Sequence, residues 1–149
     1  MIAQVATRSA RGHPFLTPLW FVDDGCALYL TTGPDTRAGL NVTQHPEVTL
    51  LFRGEHLRRF DQVLRLHGLA TCHRGLPSWS VLLRAAAKYY VSPRALPIEL
   101  ANIRKWPLRR LYYGQLKGGF GYIRVVPTTA EFLPPAARSI PELRIEPCR

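Results

Sequence analysis

The amino-acid sequence predicts a mainly β protein with inserted helices: a small barrel of six or seven short, mostly antiparallel strands. Apolar runs of strand length, separated by tight turn signals, follow one another through the first 52 residues. The longer helical spacing of apolar residues appears only after Gly75. Strands that pair as consecutive hairpins curl into a barrel, and the open seam of such a barrel leaves a groove that a second copy of the chain often completes.

The first three strands are joined by turns that the sequence marks clearly. Gly12 and Pro14 punctuate the first turn, and Asp24-Gly25 is a hairpin signal. Pro18, inside the second apolar run, indicates an edge strand or a bulge. We predict these strands at residues 2–9, 15–22 and 26–32.

A short helix is predicted after the third strand. Asp35 or Thr36 can cap its first turn, and it ends near His45-Pro46 because proline disfavours helix in the residue before it. The next two strands are predicted at residues 47–52 and 62–73, with a charged turn at 53–61 between them. Gly68 indicates a bulge in the second of these strands, or a point of close backbone approach.

The second half of the chain contains the longer helices. Pro77 lies in the first turn of a helix whose apolar residues have the spacing of one buried face. These residues are Trp79, Leu82, Leu83, Ala86, Tyr89 and Tyr90. A second helix follows Ser92-Pro93, and a strand at 120–126 is predicted to stop at Pro127, before a last short strand at 129–133. We therefore expect one domain, residues 1–134, with a helical insert at about 76–113, and an extended proline-rich tail at 135–149.

Composition narrows the class of protein. The 149 residues fit one domain, and a hydrophobic content of 46% is that of a globular chain. No apolar run reaches the length of a membrane span, and no leader with a cleavage site is recognisable. The three cysteines are scattered and form no C-x-x-C pair. We expect a reduced, cytoplasmic protein that holds no metal and binds no membrane.

The net charge of +10 is concentrated in the middle of the chain. Residues 53–124 contain eleven arginines and three lysines against three acidic residues. An anionic partner would explain this excess: a cofactor phosphate, a polyglutamate tail or nucleic acid. Arginines on solvated helix faces would explain it equally well. Nucleic acid is the less favoured partner, because the tyrosines and tryptophans at helical spacing are more typical of a core than of base-stacking platforms.

The junction between the third strand and the first helix is the most informative local feature. It reads Thr31-Thr32-Gly33-Pro34-Asp35-Thr36-Arg37. A phosphate monoester needs several hydrogen-bond donors and at least one cation. The hydroxyls, the backbone N–H groups and the guanidinium of this run supply both, although an ordinary helix-capping loop has the same composition.

Several short sequence motifs lie in a defined order on both sides of this junction. They are Ala6-Thr7 before a Gly-His-Pro turn, Thr17-Pro18-Leu19-Trp20-Phe21, Asp24-Gly25, Leu28-Tyr29-Leu30-Thr31-Thr32-Gly33, Thr36-Arg37, His45-Pro46, and Gln62-Val63-Leu64-Arg65-Leu66-His67-Gly68. In this order and spacing, residues 6–71 resemble the pyridoxamine-phosphate-oxidase-like superfamily of flavin-binding split barrels. The late Arg124-Val125-Val126-Pro127 strand also matches.

The resemblance implies a six-stranded antiparallel split barrel that forms a homodimer with two cofactor sites at its interface. The cofactor would be FMN or the deazaflavin coenzyme F-420, and the chemistry would be hydride transfer between its ring and a small-molecule acceptor. The strand through Leu19 and Trp20 would lie beside the ring, and Gln62 would send an amide toward it. The junction would hold the phosphate. The implied cofactor-binding residues are Leu19, Trp20, Thr31, Thr32, Thr36, Arg37 and Gln62.

The chain departs from the family pattern in two places. The family usually has Lys after the motif arginine, where this chain has Ala38. The Arg-x-His substrate motif of true pyridoxamine phosphate oxidases is absent, so vitamin B6 synthesis is not predicted. A cofactor- or haem-binding protein without turnover is the alternative reading of the same barrel. No residue is nominated as a general acid, general base or nucleophile.

Overall fold

The chain forms a closed six-stranded antiparallel β-barrel that carries two short helices. The computed structural model describes residues 2–53, 63–91 and 119–133. The strands are β1 (Ile2–Arg8), β2 (Pro14–Asp23), β3 (Leu28–Thr31), β4 (Glu47–Arg53), β5 (Val63–Arg74) and β6 (Gly121–Leu133). The helices are α1 (Arg37–Gln44) and α2 (Trp79–Ala86), and α2 continues into a π-helical segment, Ala87–Val91. The mainly β class and the six antiparallel strands predicted from the sequence are confirmed.

Strand order around the barrel is β1-β2-β3-β6-β5-β4, and β4 pairs with β1 to close it. Alternate residues of each strand point inward, as the two-residue period of a strand requires. The largest fully buried side chains come from four of the six strands: Leu30, Leu50, Ile123, Val5 and Val125. Burying each of them contributes about 1.5–3 kcal/mol, so the barrel interior is the main source of stability.

The β6 strand corrects the sequence prediction that Pro127 ends a strand. It runs without interruption from Gly121 to Leu133. Pro127 pairs with Gly68, next to the register shift between His67 and Gly68 in β5. A bulge disrupts the local ladder, so a residue without an N–H group is tolerated there. The irregularity predicted at Gly68 is confirmed in position, but the extra residue is Thr128 of β6, and at Gly68 itself the backbone of β6 approaches closely.

Helix α1 packs against the barrel through its buried residues Ala38, Gly39, Asn41 and Val42. The Asn41 side-chain amide donates a 2.9 Å hydrogen bond to the Thr7 hydroxyl of β1, and both side chains are buried. A buried polar pair of this kind is stable because each group satisfies the other. It therefore holds the helix, and the junction before it, against the barrel wall.

Helix α2 corrects another expectation. The predicted buried face included Trp79 and Leu83, but these side chains are 79% and 66% exposed in this chain. The buried residue of the helix is Val81. The apolar spacing was read correctly as helical, but the side of the helix that faces the barrel was wrong.

Some predictions fall outside the described residues. These are the charged turn predicted at 53–61, apart from its first residue, the part of the helical insert from 92 to 113, and the tail at 135–149. Within the described ranges, no helix is long and apolar enough to cross a bilayer.

Candidate functional site

The barrel opens where β2 and β3 separate. β2 pairs with β1 from Pro14 to Trp20, but its ladder with β3 includes only Phe21–Asp23. Phe21 is paired with Leu30, so Trp20 and Thr31 follow directly beyond the paired segment on the two strands. Beyond Thr31 the chain leaves the sheet and enters α1. The unshared edge of β2 and the β3–α1 junction therefore border one opening.

A compact hydroxyl network organises the junction. The Thr32 and Thr36 hydroxyl oxygens are 2.8 Å apart. The Thr36 hydroxyl donates to the Gly33 carbonyl at 2.7 Å and accepts from the Gly39 N–H at 3.2 Å, which makes Thr36 the N-cap of α1. Its single proton is thus engaged, so Thr32 is the donor between the two hydroxyls. Thr32 is the hydroxyl that can turn toward a bound anion.

Close backbone packing sets the position of the α1 N-terminus. A Cβ atom on Gly39 would lie 2.6 Å from the Pro34 carbonyl oxygen and 2.8 Å from that of Gly33. Only glycine allows this approach. The first turn of the helix is therefore pressed onto the loop that carries Thr32.

Arg37 supplies the positive charge that the sequence predicts here. It is the first residue of α1 and is exposed, and its guanidinium carbon lies 5.3 Å from the centre of the Phe15 ring on β2. This cation–π contact spans the opening between β2 and the junction. The next residue, Ala38, is only 2% exposed and packs in the barrel core. Position 38 is a core position in this chain and offers no second cation.

A second cation comes from a strand that the sequence did not associate with the junction. The Arg74 guanidinium at the end of β5 lies 3.2 Å from the Asp35 carboxylate. Both side chains are exposed, so the ion pair adds little stability. Its effect is local: it offsets the one negative charge of the junction and places a guanidinium beside it. No signal in the sequence indicated this, because residues 35 and 74 meet only through the register of the sheet.

Leu19 and Trp20 point to opposite sides of β2. The Leu19 side chain packs against the core, so only its main chain is available to a ligand. The Trp20 indole faces outward and is 42% exposed. Of these two predicted ring-binding residues, Trp20 presents its side chain to the opening.

The indole of Trp20 is stacked on the ring of Tyr89. The two ring centroids are 5.2 Å apart and the rings are inclined by 16°. Tyr89 belongs to the π-helical segment and was expected only as a core residue of a helix. The helical spacing of the aromatics was the available signal, but it could not identify Trp20 as the partner.

Three other polar side chains of β5, those of Arg65, His67 and His73, have partners away from this cluster. Gln62 lies outside the described residues. Arg65 bonds Glu131 at 2.6 Å on the outer face of β5 and β6. His67 of β5 bonds the Thr49 hydroxyl. His73, six residues further along the same strand, stacks on Tyr122 of β6. That separation is about 20 Å at the rise of a strand, so the two histidines cannot ligate one ion.

Comparison with known proteins agrees with this architecture. A family model described as Pyridoxamine 5'-phosphate oxidase matches residues 2–131. No curated protein matches the chain in sequence.

Solved structures with the same fold are numerous. An F-420 reductase is 18% identical, with a TM-score of 0.59 over 88% of this chain and 89% of that one. A pyridoxamine 5'-phosphate oxidase-related, FMN-binding protein from Nostoc punctiforme is also 18% identical, with a TM-score of 0.54 over 92% of this chain and 75% of that one. A haem storage protein from Vibrio cholerae is 16% identical, with a TM-score of 0.56 over 89% and 84%. At these identities the likeness establishes the fold, and the ligands named are those of the other proteins.

Proposed function

The chain belongs to the pyridoxamine 5'-phosphate oxidase family, and from this premise we propose that it is an oxidoreductase dependent on FMN or on the deazaflavin F-420. The observation that carries the proposal is the β3–α1 junction. There the Thr32 hydroxyl is bonded to Thr36, the N-cap of α1, and Arg37 is the first residue of that helix. These groups are the donors and the cation that a phosphate ester requires.

The donor set fits a phosphate monoester. Helix N-termini favour anions because their first N–H groups have no partner within the helix. The Gly39–Pro34 approach fixes those N–H groups relative to Thr32, so the cradle exists before any ligand binds. Arg74 neutralises Asp35, which would otherwise repel the phosphate.

The ring of the cofactor would extend from the phosphate toward Trp20. When bound, this ring supplies the hydride exchange with a small acceptor. The chain binds the phosphate, orients the ring against the indole and shields one side of it from water. F-420 and FMN both present a phosphate and a planar tricyclic ring, so the same residues serve either one.

We also propose that the protein works as a homodimer. The outer face of β1 and β2 carries exposed apolar side chains next to the opening, among them Ile2, Leu16 and Trp20. Ile2 and Trp20 are cross-strand partners, so they form one continuous patch. Apolar surface of this kind is typical of an interface between subunits. A partner subunit would cover the ring and bring its own Gln62 to it. We propose that this homodimer is cytoplasmic.

The test is a binding titration with three ligands: FMN, F-420 and riboflavin, which has the FMN ring without the phosphate. Wild-type protein should bind FMN or F-420 saturably and bind riboflavin much more weakly. Arg37→Ala should raise the Kd for the phosphorylated ligand about ten- to a hundredfold, since a hydrogen bond to a charged group contributes about 1.5–3 kcal/mol. The same substitution should leave riboflavin binding nearly unchanged.

Arg74→Ala is the second variant and Arg8→Ala is the matched control. Arg74→Ala should weaken FMN or F-420 binding less than Arg37→Ala, because its charge acts largely through Asp35. Arg8 is an exposed arginine of β1 that faces Glu47, so its loss should not change the Kd. Absence of binding by wild-type protein to both cofactors would refute the proposed function. Equal losses for FMN and riboflavin would refute the phosphate cradle alone.

A further inference from the structure

Tyr89 is attached to the end of β2 in an unusual way. Its hydroxyl donates to the Phe21 carbonyl oxygen at 2.6 Å and accepts from the Phe21 N–H at 2.9 Å. The ladder between β1 and β2 ends at Ile2 and Trp20, one residue earlier. The phenol therefore bonds both backbone groups of Phe21 just beyond this ladder.

Two basic side chains of the same helical unit reinforce this attachment. The Lys88 ammonium donates to the Phe21 carbonyl at 2.9 Å and lies 3.6 Å from the centre of the Phe21 ring. The Arg84 guanidinium donates to the Asp23 carbonyl at 3.4 Å. Three side chains thus hold α2 and the π-helical segment on the last residues of β2. Single-turn π-helical segments inside helices are often found at functional sites.

The anchored phenol supports the indole of Trp20 from behind. The Tyr89 ring stacks on one face of Trp20, and the indole remains 42% exposed. An exposed tryptophan without such a partner samples several rotamers. Because Tyr89 is fixed by two hydrogen bonds to the neighbouring residue, stacking on its ring favours the observed orientation of the indole. Burial raises the pKa of the Tyr89 phenol, so the phenol keeps its donor proton at neutral pH.

We propose that Tyr89 is a positioning residue of the cofactor site: it holds the Trp20 indole as a rigid wall against which the cofactor ring is aligned. This inference rests on the proposed function, because it assigns Tyr89 a role toward the same ring. The inference adds the helical insert to the proposed cofactor site, because Tyr89 lies in the segment that continues α2. In this arrangement the cofactor ring would contact Trp20 and not Tyr89, so Tyr89 acts through Trp20.

The experiment separates the indole from the cofactor. Protein labelled with 5-fluorotryptophan gives three ¹⁹F resonances, one for each tryptophan, and Trp20→Phe assigns the signal of interest. Tyr89→Leu removes the ring and the hydroxyl, whereas Tyr89→Phe removes only the two hydrogen bonds to Phe21. Trp79→Phe, on the exposed side of α2, is the control. Each variant is then measured for the Kd of FMN or F-420 and for the hydride-transfer rate at saturating cofactor.

In Tyr89→Leu the Trp20 resonance should move and broaden, while the other two stay in place. The transfer rate should fall about ten- to a hundredfold, since a small misplacement of reacting groups has effects of this size. The Kd should change much less, because the phosphate cradle is intact. Tyr89→Phe should fall between wild type and Tyr89→Leu in both readouts, and Trp79→Phe should match wild type in transfer rate.

Three results would overturn the inference, and they can be told apart. If wild-type protein transfers hydride and Tyr89→Leu does so at the same rate, Tyr89 has no positioning role and the proposed function stands. If wild-type protein binds neither cofactor, the proposed function fails, and the role of Tyr89 toward a ring fails with it, whatever the Trp20 resonance does. An unmoved Trp20 resonance together with a slowed rate would also refute a mechanism acting through the indole.

Discussion

Replacing Gly39 by alanine tests whether close packing places the α1 N-terminus. The new Cβ would lie 2.6 Å from the Pro34 carbonyl oxygen, well inside the 3.0 Å that real Cβ contacts keep. The obstacle is backbone on both sides, so no rotamer change relieves it. Helix propensity favours alanine by about 1 kcal/mol, whereas the forced shift costs about 1–3 kcal/mol and loosens the Thr36 cap, which contributes about 1 kcal/mol.

The expected outcome is a net loss of about 1–2 kcal/mol in the free energy of unfolding, measured by urea denaturation. Gly33→Ala is the matched control, since its Cβ would lie no closer than 3.5 Å to any neighbouring atom. That substitution should be neutral, or stabilising by about 0.4–1 kcal/mol through the unfolded chain. If Gly39→Ala is as stable as wild type, or more stable, the tight approach does not hold the helix and the preformed cradle loses its basis.

Three further outcomes are expected. Thr36→Ala should lower the free energy of unfolding by about 1 kcal/mol and Thr36→Ser should largely restore it, as urea denaturation will show. The pKa of Asp24 is lowered by hydrogen bonds from the Cys26 and Ala27 N–H groups. Its contribution to the stability of the fold is therefore present above pH about 4 and is lost as the pH falls through the depressed pKa. Asp24→Asn should flatten the decline in the free energy of unfolding below pH about 4, as urea denaturation at several pH values will show. Burial lowers the pKa of Lys88, so the charged form of its amine is disfavoured in the folded protein. Relative to Lys88→Met, wild-type protein should therefore gain stability as the pH rises from that lowered pKa toward about 10.4, the pKa in the unfolded chain. A constant difference between the melting temperatures of the two proteins across this range would contradict the lowered pKa.

Much of the barrel was predictable because the signals are local. Alternating apolar residues and turn residues such as Asp24-Gly25 specify hairpins within a few positions. The cap at Thr36 and the irregularity at Gly68 were recognised for the same reason. Pro127 was misread because its tolerance depends on Gly68, nearly sixty residues earlier in the chain. The side of α2 that faces the barrel was misread because both faces of that helix carry apolar residues.

The sequence by itself determined most of the strands, the first helix and the donor-rich composition of the β3–α1 junction, since each depends on residues adjacent in the chain. Only the tertiary structure decided which cation stands beside Asp35, which face of β2 carries Leu19 and which Trp20, and which ring lies against the indole. Arg74 and Tyr89 reach their partners through sheet register and helix docking across 39 and 68 residues. Such contacts follow from the packing of the whole barrel, so no local sequence pattern predicts them.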